Sequence, residues 1–267
     1  MAIDIQKIQN TQWPLPRARL GLIVPSANTL TEPQFNQYFP KDAEIHATRV
    51  RIDVTCQRTL DQDLPEIVQA AQLLGDCSSQ LILYHCTGMS MGSGMAAEMR
   101  MVDAIRKATG IAASSTASGV INAMRALKAR RIMLAGPSGA AINALERRFM
   151  GEYGIEVLDE IGLELSVPVG MCGATPDVWR DTVLELKDAR ADAYFITCTN
   201  VQSPAAVQEL EQRLGKPVVT SNTAGIWYAM RLLGLNDDVP ALGRLFRLPL
   251  PENAVGQPAR TGEALAA

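Results

Sequence analysis

Two cysteine–threonine pairs carry the side chains of this sequence that are best suited to catalysis. Cys86-Thr87 and Cys198-Thr199 each follow a short apolar run and precede a loop that leads into a helical segment. At such a place, backbone N–H groups and the positive end of a helix lower the pKa of a thiol, so a thiolate can act as a base or a nucleophile. A single cysteine after a strand is more often a small buried apolar residue, and the hypothesis therefore rests on there being two.

Polar residues close to both thiols are suited to holding the oxygen atoms of a carboxylate or of an enediolate. Thr87 and Thr199 offer hydroxyl groups, and Gly88 and Asn200 follow them with a turn N–H and an amide. Asn28, in the loop after the first apolar run, is a second neutral amide. The same residue types are ordinary turn formers and helix caps, so both interpretations stay open for them.

The sequence contains only weak patterns for phosphate binding, for a serine nucleophile and for a metal site. The glycines of residues 88–94 have neither the following Lys-Ser/Thr of a phosphate loop nor the GxGxxG spacing. Ser138 stands in an incomplete nucleophile elbow, because Ala140 takes the place of the second glycine, and no histidine follows His85 along the chain. The two histidines are not part of any cluster with metal-ligand spacing, so we expect no metal site, and His85 is predicted to be a buried structural residue.

Short apolar runs alternate with segments of helical period, which is the pattern of a parallel sheet with crossover helices. The predicted strands are Leu20–Val24, Ile45–Ile52, Leu81–Tyr84, Arg131–Ala135, Ile155–Asp159, Ala193–Ile196 and Pro217–Thr220. The predicted helices are Leu64–Leu74, Met95–Ala108, Val120–Leu127, Ala140–Gly151, Val178–Leu186, Ala205–Leu214 and Gly225–Leu233. The strands are apolar throughout, as expected when helices cover both faces of a sheet. The fold class is therefore α/β.

An internal repeat divides the chain into two similar halves. Its three matches are Leu22–Ser26 with Leu134–Ser138, Leu83–Thr87 with Phe195–Thr199, and Ser115–Leu127 with Ser221–Leu233. The first two matches are 112 positions apart and the third is 106 apart. Two such α/β lobes place the carboxyl ends of their strands around a shared cleft, where both thiols are expected. The predicted division is 19–115 with 221–248 for the first lobe and 116–220 for the second, with loosely held tails at 1–18 and 249–267.

Composition excludes several classes of protein. The 267 residues are 47% hydrophobic and 20% charged, which is typical of a globular protein with a large core. A net charge of −3 gives no basic excess for nucleic acid, and no apolar run is long enough to cross a membrane. Five cysteines without CxxC pairs argue against a zinc site or a disulfide framework. The start of the chain lacks the apolar core of a signal peptide, so we expect a cytoplasmic protein.

At these residues the sequence resembles the aspartate/glutamate racemase superfamily, and within it the branch of maleate isomerase and arylmalonate decarboxylase. The resemblance runs from Arg19 to Phe246 and is carried by the segments 23–29, 86–92, 198–204, 217–221, 224–227 and 243–246. It implies two pseudo-symmetric flavodoxin-like lobes with parallel sheets, an active site in the cleft between the lobes, no cofactor, and a homodimer or higher homo-oligomer. It also marks Ser26 and Ser138 as binding residues, although this branch usually has tyrosine at the second of these positions.

The activity that the resemblance implies is that of a cofactor-independent isomerase of a small carboxylate, with maleate-to-fumarate conversion as the leading case. Cys86 would add to the alkene and Cys198 would give and retake a proton, while Asn28, Thr87, Thr199 and Asn200 would hold the carboxylate oxygens.

Three alternatives stay open. Arylmalonate decarboxylases have glycine in place of the first cysteine, which makes that activity less favoured for a chain with Cys86. A racemase of the aspartate, glutamate or hydantoin type would also use two thiols, but Asn28 and Asn200 are neutral where amino-acid racemases have groups that bind an ammonium. Outside enzymology, a cytoplasmic protein that binds small anions would fit the same cleft.

Overall fold

Two four-stranded parallel sheets form the framework of the computed structural model, which describes residues 15–51 and 59–256. The first sheet consists of β1 (Arg19–Pro25), β2 (Glu44–Val50), β3 (Leu81–Tyr84) and β4 (Ala112–Ser115), in the order β2-β1-β3-β4. The second consists of β5 (Arg131–Gly136), β6 (Glu156–Gly162), β7 (Ala193–Ile196) and β8 (Val218–Thr220), in the order β6-β5-β7-β8. The predicted α/β class is confirmed.

Helices connect the strands of each sheet. They are α1 (Thr31–Tyr38), α2 (Leu60–Asp76), α3 (Thr87–Gly92), α4 (Met95–Thr109), α5 (Thr116–Ala126), α6 (Ala140–Glu152), α7 (Val169–Gly173), α8 (Pro176–Glu185), α9 (Val207–Leu214) and α10 (Ser221–Leu232). Short 3₁₀ turns occupy Ser203–Ala206, Pro240–Leu242 and Arg244–Arg247. Within the described ranges, none of these helices combines the length and apolarity that a bilayer crossing requires.

The internal repeat corresponds to the two sheets. The order of the strands is the same in both, and so is their register, since Ile23 pairs with Tyr84 and Ala135 with Ile196. The helices that follow the last strand of each sheet, α5 and α10, pack against each other between the sheets. Gly119 of α5 lies at this contact, where a Cβ would be in van der Waals contact with the carbonyl oxygen of Ala224, at 3.4 Å.

Apolar packing explains why the strands are apolar throughout. The largest core cluster joins residues of both sheets, such as Leu22 and Leu134, with Trp227 and other residues of α5 and α10. The outer face of the first sheet packs on α2 and α4, and the outer face of the second packs on α8 and α9. Each sheet is therefore covered on both faces, and the carboxyl ends of its strands are left to form a site.

Hydrogen bonds connect both ends of the described chain to the rest of the protein. Near the start, Arg17 donates to Asp237 at 2.9 Å and Ala18 is buried. Near the other end, the carbonyl of Val255 accepts hydrogen bonds from Asn122 Nδ2 and from the Tyr228 hydroxyl. Charged side chains and backbone carbonyls thus attach residues 15–18 and 249–256 of the predicted tails to the rest of the described chain.

Candidate active site

A cavity of about 110 Å³ lies at the carboxyl ends of the central strands of both sheets. This volume is several times the roughly 10–15 Å³ that one water molecule needs, so the cavity has room for a small organic acid. Eight of the nine residues predicted to form the site line it: Asn28, Cys86, Thr87, Gly88, Ser138, Cys198, Thr199 and Asn200. The fold therefore places both cysteines and both asparagines on the wall of one cavity.

Ser26 is the predicted site residue that does not line the cavity. Its backbone N–H donates to the carbonyl of Val50 at 2.8 Å, which ties the start of the β1–α1 loop to the neighbouring strand and leaves the serine exposed. The loop turns inward only at Ala27 and Asn28, which both line the cavity. The placement of Ser26 in the site does not agree with this geometry.

Cys86 lies in extended backbone directly before α3, with φ −149° and ψ 111°. Its carbonyl oxygen accepts a hydrogen bond from the Ser90 hydroxyl at 2.6 Å. The next residue, Thr87, is buried, and its hydroxyl donates to the Ser221 hydroxyl at 2.8 Å. These bonds fix the backbone on both sides of a partly buried thiol that faces the cavity.

Cys198 differs from its repeat partner in backbone conformation. Its φ of +83° lies in the left-handed region, which costs a non-glycine residue about 1–3 kcal/mol. The backbone N–H of Asn200 donates to the sulfur at 3.3 Å. An N–H donated to sulfur stabilises the thiolate form, and the strained turn places the thiol, the Thr199 hydroxyl and the Asn200 amide on the same cavity.

Hydrogen bonds between the two halves of the chain hold the asparagines. Asn28 Nδ2 donates to the Thr199 hydroxyl oxygen at 3.0 Å, while its Oδ1 accepts from the backbone N–H groups of Leu30 and Thr31 at the start of α1. In return, Asn200 Oδ1 accepts from the backbone N–H of Thr29 at 2.9 Å. Helix capping and site formation, which the sequence left as alternatives for Asn28, are thus combined in one side chain.

Glu146 is a lining residue that sequence reasoning missed. It lies on α6, is buried, and accepts a hydrogen bond from the Thr197 hydroxyl at 2.7 Å. Burial raises the pKa of the Glu146 carboxyl to about 7, although the Thr197 hydrogen bond opposes this rise. The available signal was helical spacing, because Asn143 and Glu146 lie three positions apart and are both buried on one face of α6.

Apart from Thr197, the remaining wall of the cavity is apolar. The apolar residues are Pro25, Ala27, Met89, Pro137, Ile142, Val167, Pro168 and Met171. Among the described lining residues there is no lysine, arginine or histidine, and no group of His, Cys, Asp or Glu in the described chain could hold a metal ion. A ligand is therefore held by amides, hydroxyls and backbone N–H groups on one side and by apolar contacts on the other.

His85 is a structural residue, as predicted. It is completely buried, its Nε2 lies 2.7 Å from Asn222 Oδ1, and its Nδ1 lies 2.9 Å from the Thr116 hydroxyl. Burial lowers the pKa of His85 to about 4, so the ring is neutral at physiological pH. Although it adjoins Cys86, it does not line the cavity.

The other cysteines do not line the cavity where they are described. Cys77 is exposed at the end of α2, and Cys172 is partly buried in α7. Cys56 lies outside the described residues.

Known proteins resemble this chain over most of its length. The family model described as arylmalonate decarboxylase matches residues 20–246. The arylmalonate decarboxylase of Bordetella bronchiseptica is 27% identical over 230 residues, covering 85% of this chain and 95% of that protein. The maleate isomerase of Pseudomonas putida KT2440 is also 27% identical, over 240 residues, covering 85% and 96%.

A solved structure has the same fold. It is the maleate cis-trans isomerase of Nocardia farcinica, in a cysteine-to-serine mutant with a covalently bound succinylcysteine intermediate. That chain is 25% identical to this one, with a TM-score of 0.79 and coverage of 86% of this chain and 98% of the other.

Proposed function

Because the chain belongs to the arylmalonate decarboxylase family, we propose that it is a cofactor-independent isomerase of a small carboxylate, with maleate-to-fumarate conversion as the leading reaction. The observation that carries the proposal is that Cys86 and Cys198, from equivalent strand ends of the two sheets, line one cavity. Two thiols that reach a bound ligand from different lobes can divide nucleophilic and proton-transfer roles between them.

The proposed reaction begins when the Cys86 thiolate adds to one alkene carbon of maleate. The electron pair of the double bond moves into the carboxylate on the other carbon, which becomes an enediolate. Protonation of that carbon by the Cys198 thiol gives a succinyl thioether in which the central carbon–carbon bond is single and can rotate. Removal of the same proton by the Cys198 thiolate then expels Cys86 and forms fumarate. The succinylcysteine intermediate of the Nocardia farcinica enzyme supports a covalent step of this kind.

The enediolate is the intermediate of highest free energy in this reaction, and neutral hydrogen-bond donors have to stabilise it. The Asn28 amide carries two N–H donors, of which one is used by Thr199. The Thr199 hydroxyl oxygen accepts a hydrogen bond from Asn28. The O–H proton of Thr199 therefore points away from Asn28 and can be donated to a ligand oxygen. A donor of this kind is worth roughly 3–4 kcal/mol in an oxyanion hole. Asn200 supplies a further amide donor from the edge of the second sheet, whereas the Thr87 hydroxyl already donates to Ser221.

A two-cysteine racemase is the second candidate, and the carboxyl of Glu146 in the cavity wall is the observation that favours it. An ionised carboxylate there would hold the ammonium group of an amino acid. One thiol would remove the α-proton and the other would return a proton to the opposite face. Turnover in deuterium oxide separates the two reactions, since racemisation puts solvent deuterium on the α-carbon of aspartate or glutamate.

Separate Cys86→Ser and Cys198→Ser variants test the proposed function. We expect both to lose at least about 100-fold in the rate of maleate isomerisation followed by proton NMR, because serine is a far weaker nucleophile and acid at neutral pH. Cys77→Ser, on the exposed end of α2, is the matched control and should retain the wild-type rate. Wild-type protein that binds dicarboxylates without converting maleate, aspartate or an arylmalonate would instead support the small-anion binding protein.

The cellular compartment and the oligomeric state of the protein are also part of the proposed function. We propose that the protein acts in the cytoplasm as a homodimer or higher homo-oligomer, as the family resemblance implies. Light scattering of the purified protein measures its mass, and a monomer at micromolar concentration would contradict this part of the proposal without affecting the reaction.

A further inference from the structure

A carboxyl group is an unexpected component of a cavity that is meant to hold a carboxylate. Glu146 lines the cavity together with both thiols and is only 2% exposed. One of its oxygens accepts from the Thr197 hydroxyl, whereas Oε2 is buried without a hydrogen-bond partner among the described residues. An ionised carboxylate with one unsatisfied oxygen is a costly group to bury, and a protonated carboxyl is much less so.

No positive charge in the cavity offsets a negative one on Glu146. The described lining residues include no lysine, arginine or histidine. The helix packed against α6 on the first lobe, α3, has no titratable side chain, and the titratable groups that share the cavity are the Cys86 and Cys198 thiols. A dianionic ligand next to ionised Glu146 would therefore meet uncompensated repulsion in a poorly screened space.

A negative charge on the neighbouring strand β6 also favours the protonated form of Glu146. Glu160 of β6 acts on Glu146 by repulsion and raises the pKa of its carboxyl further. The nearest cation on α6 that could oppose this, Arg147, donates two hydrogen bonds to Glu160 Oε2, at 3.0 and 2.6 Å. With a pKa of about 7 in the empty cavity, Glu146 needs only a small further rise to be protonated at physiological pH.

We propose that Glu146 is the proton-binding residue that lets the cavity accept a dicarboxylate: it is neutral when the substrate is bound, and substrate entry is coupled to the uptake of one proton at its carboxyl. This inference rests on the proposed dicarboxylate substrate and extends it to the charge state of the site. The neutral acid removes the repulsion, and its O–H can be donated to a substrate oxygen.

The test measures the affinity for fumarate, which is fully ionised at neutral pH and above, in a Cys86→Ser/Cys198→Ser background. Replacing both thiols prevents turnover and leaves Glu146 as the one titratable side chain among the described lining residues. Calorimetric titrations between about pH 7 and pH 9 should show Kd rising by up to roughly tenfold per pH unit, since only the protonated form binds well. Glu146→Gln in the same background should bind with a Kd that does not change with pH.

Glu185→Gln in that background is the matched control, because it removes an exposed carboxylate at the end of α8, away from the charges that act on Glu146, and should keep the pH dependence of the starting protein. Equal pH dependence with and without Glu146, or none in either protein, would overturn the role of Glu146 and leave the proposed reaction intact. If fumarate binds neither protein at any pH and wild-type protein does not convert maleate, the dicarboxylate function itself fails and this inference fails with it.

Discussion

Asn28 and Thr199 form a hydrogen bond that joins the two halves of the repeat inside the cavity. Asn28 Nδ2 lies 3.0 Å from the Thr199 hydroxyl oxygen, and the two residues belong to the loops that follow β1 and β7. The bond connects equivalent edges of the two sheets and orients two of the groups proposed to bind substrate. Its energetic role in folding is separable from its role in the site, because the Oδ1 atom of Asn28 performs the capping.

Asn28→Asp makes this separation testable. An aspartate keeps the oxygen that accepts from Leu30 and Thr31, but it loses the donor to Thr199 and adds a negative charge to the cavity. We expect kcat/KM for maleate to fall at least about 100-fold, as when one oxyanion-hole donor is removed. The free energy of unfolding, measured by urea titration, should fall by roughly 1–3 kcal/mol, because the capping oxygen is kept but the new charge is buried at a side chain that is only 3% exposed.

Asn36→Asp is the control for this substitution, since it adds the same charge on the exposed face of α1. Its kcat/KM should equal that of wild type. Near-normal activity of Asn28→Asp would show that the Asn28 amide takes no part in binding or catalysis.

We predict that the small side chain of Ser138 lets the cavity accept a larger substrate than a tyrosine would. It lines the cavity at the end of β5, at a position where the branch of the family it resembles usually has tyrosine. Ser138→Tyr should therefore lower the KM for maleate by up to about tenfold through one added hydrogen bond, and raise the KM for maleates with a bulky 2-substituent. Steady-state kinetics with both substrates measures the change.

Ser138→Phe distinguishes the volume of the new side chain from its hydroxyl group. It should exclude the bulky substrate as Ser138→Tyr does, without improving the KM for maleate. Identical kinetics of the two variants would mean that no hydrogen bond forms at this position.

Much of this architecture could be predicted from the sequence because apolar strands and a repeat are visible in residue types. Leu81–Tyr84 and Ala193–Ile196 are predicted with the bounds that the structure shows, and the resemblance to the family is confirmed. β4 was not predicted, because Ala112–Ser115 consists of small residues without the β-branched or aromatic side chains that indicate a strand. Its backbone pairs with β3 and is buried by its neighbours instead.

The parts of the site that could not be predicted from the sequence are those that depend on the direction of a side chain in the folded protein. A serine in a loop can face either way, and in the folded chain Ser26 is exposed and does not line the cavity. A glutamate on a helix is normally solvated, so the three-residue spacing of Asn143 and Glu146 was too weak a signal to predict that Glu146 faces a cavity. Such contacts form only when distant segments pack, and periodicity within one segment does not encode them.

Gly225 is predicted to be essential for packing. A Cβ at this position would lie 2.4 Å from His85 Cε1, and the His85 ring cannot move freely because Thr116 and Asn222 hold its two nitrogens. Gly225→Ala should therefore lower the free energy of unfolding by roughly 1–3 kcal/mol, as overpacking of a core does. Urea denaturation followed by circular dichroism measures this loss.

Gly151→Ala is the matched control within a helix. Nothing lies within 4 Å of a Cβ at Gly151, which is an exposed residue near the end of α6, so alanine should leave stability unchanged or raise it by up to about 1 kcal/mol. Equal stability of Gly225→Ala and wild type would show that His85 can shift without cost.

The burial of Glu146 also predicts how stability depends on pH. Its carboxyl has a pKa of about 7 in the folded protein against an ordinary value of 4.5, so the folded state binds the proton more tightly than the unfolded state. This contribution is fully present below pH 4.5 and is lost progressively as the pH rises to about 7. The difference between the two values corresponds to roughly 3 kcal/mol.

Glu146→Gln, which cannot ionise, tests this dependence. Its free energy of unfolding in urea titrations should match that of wild type at pH 4.5 and exceed it by roughly 3 kcal/mol at pH 8. A constant difference between the two proteins across this range would mean that Glu146 does not change its protonation state on folding.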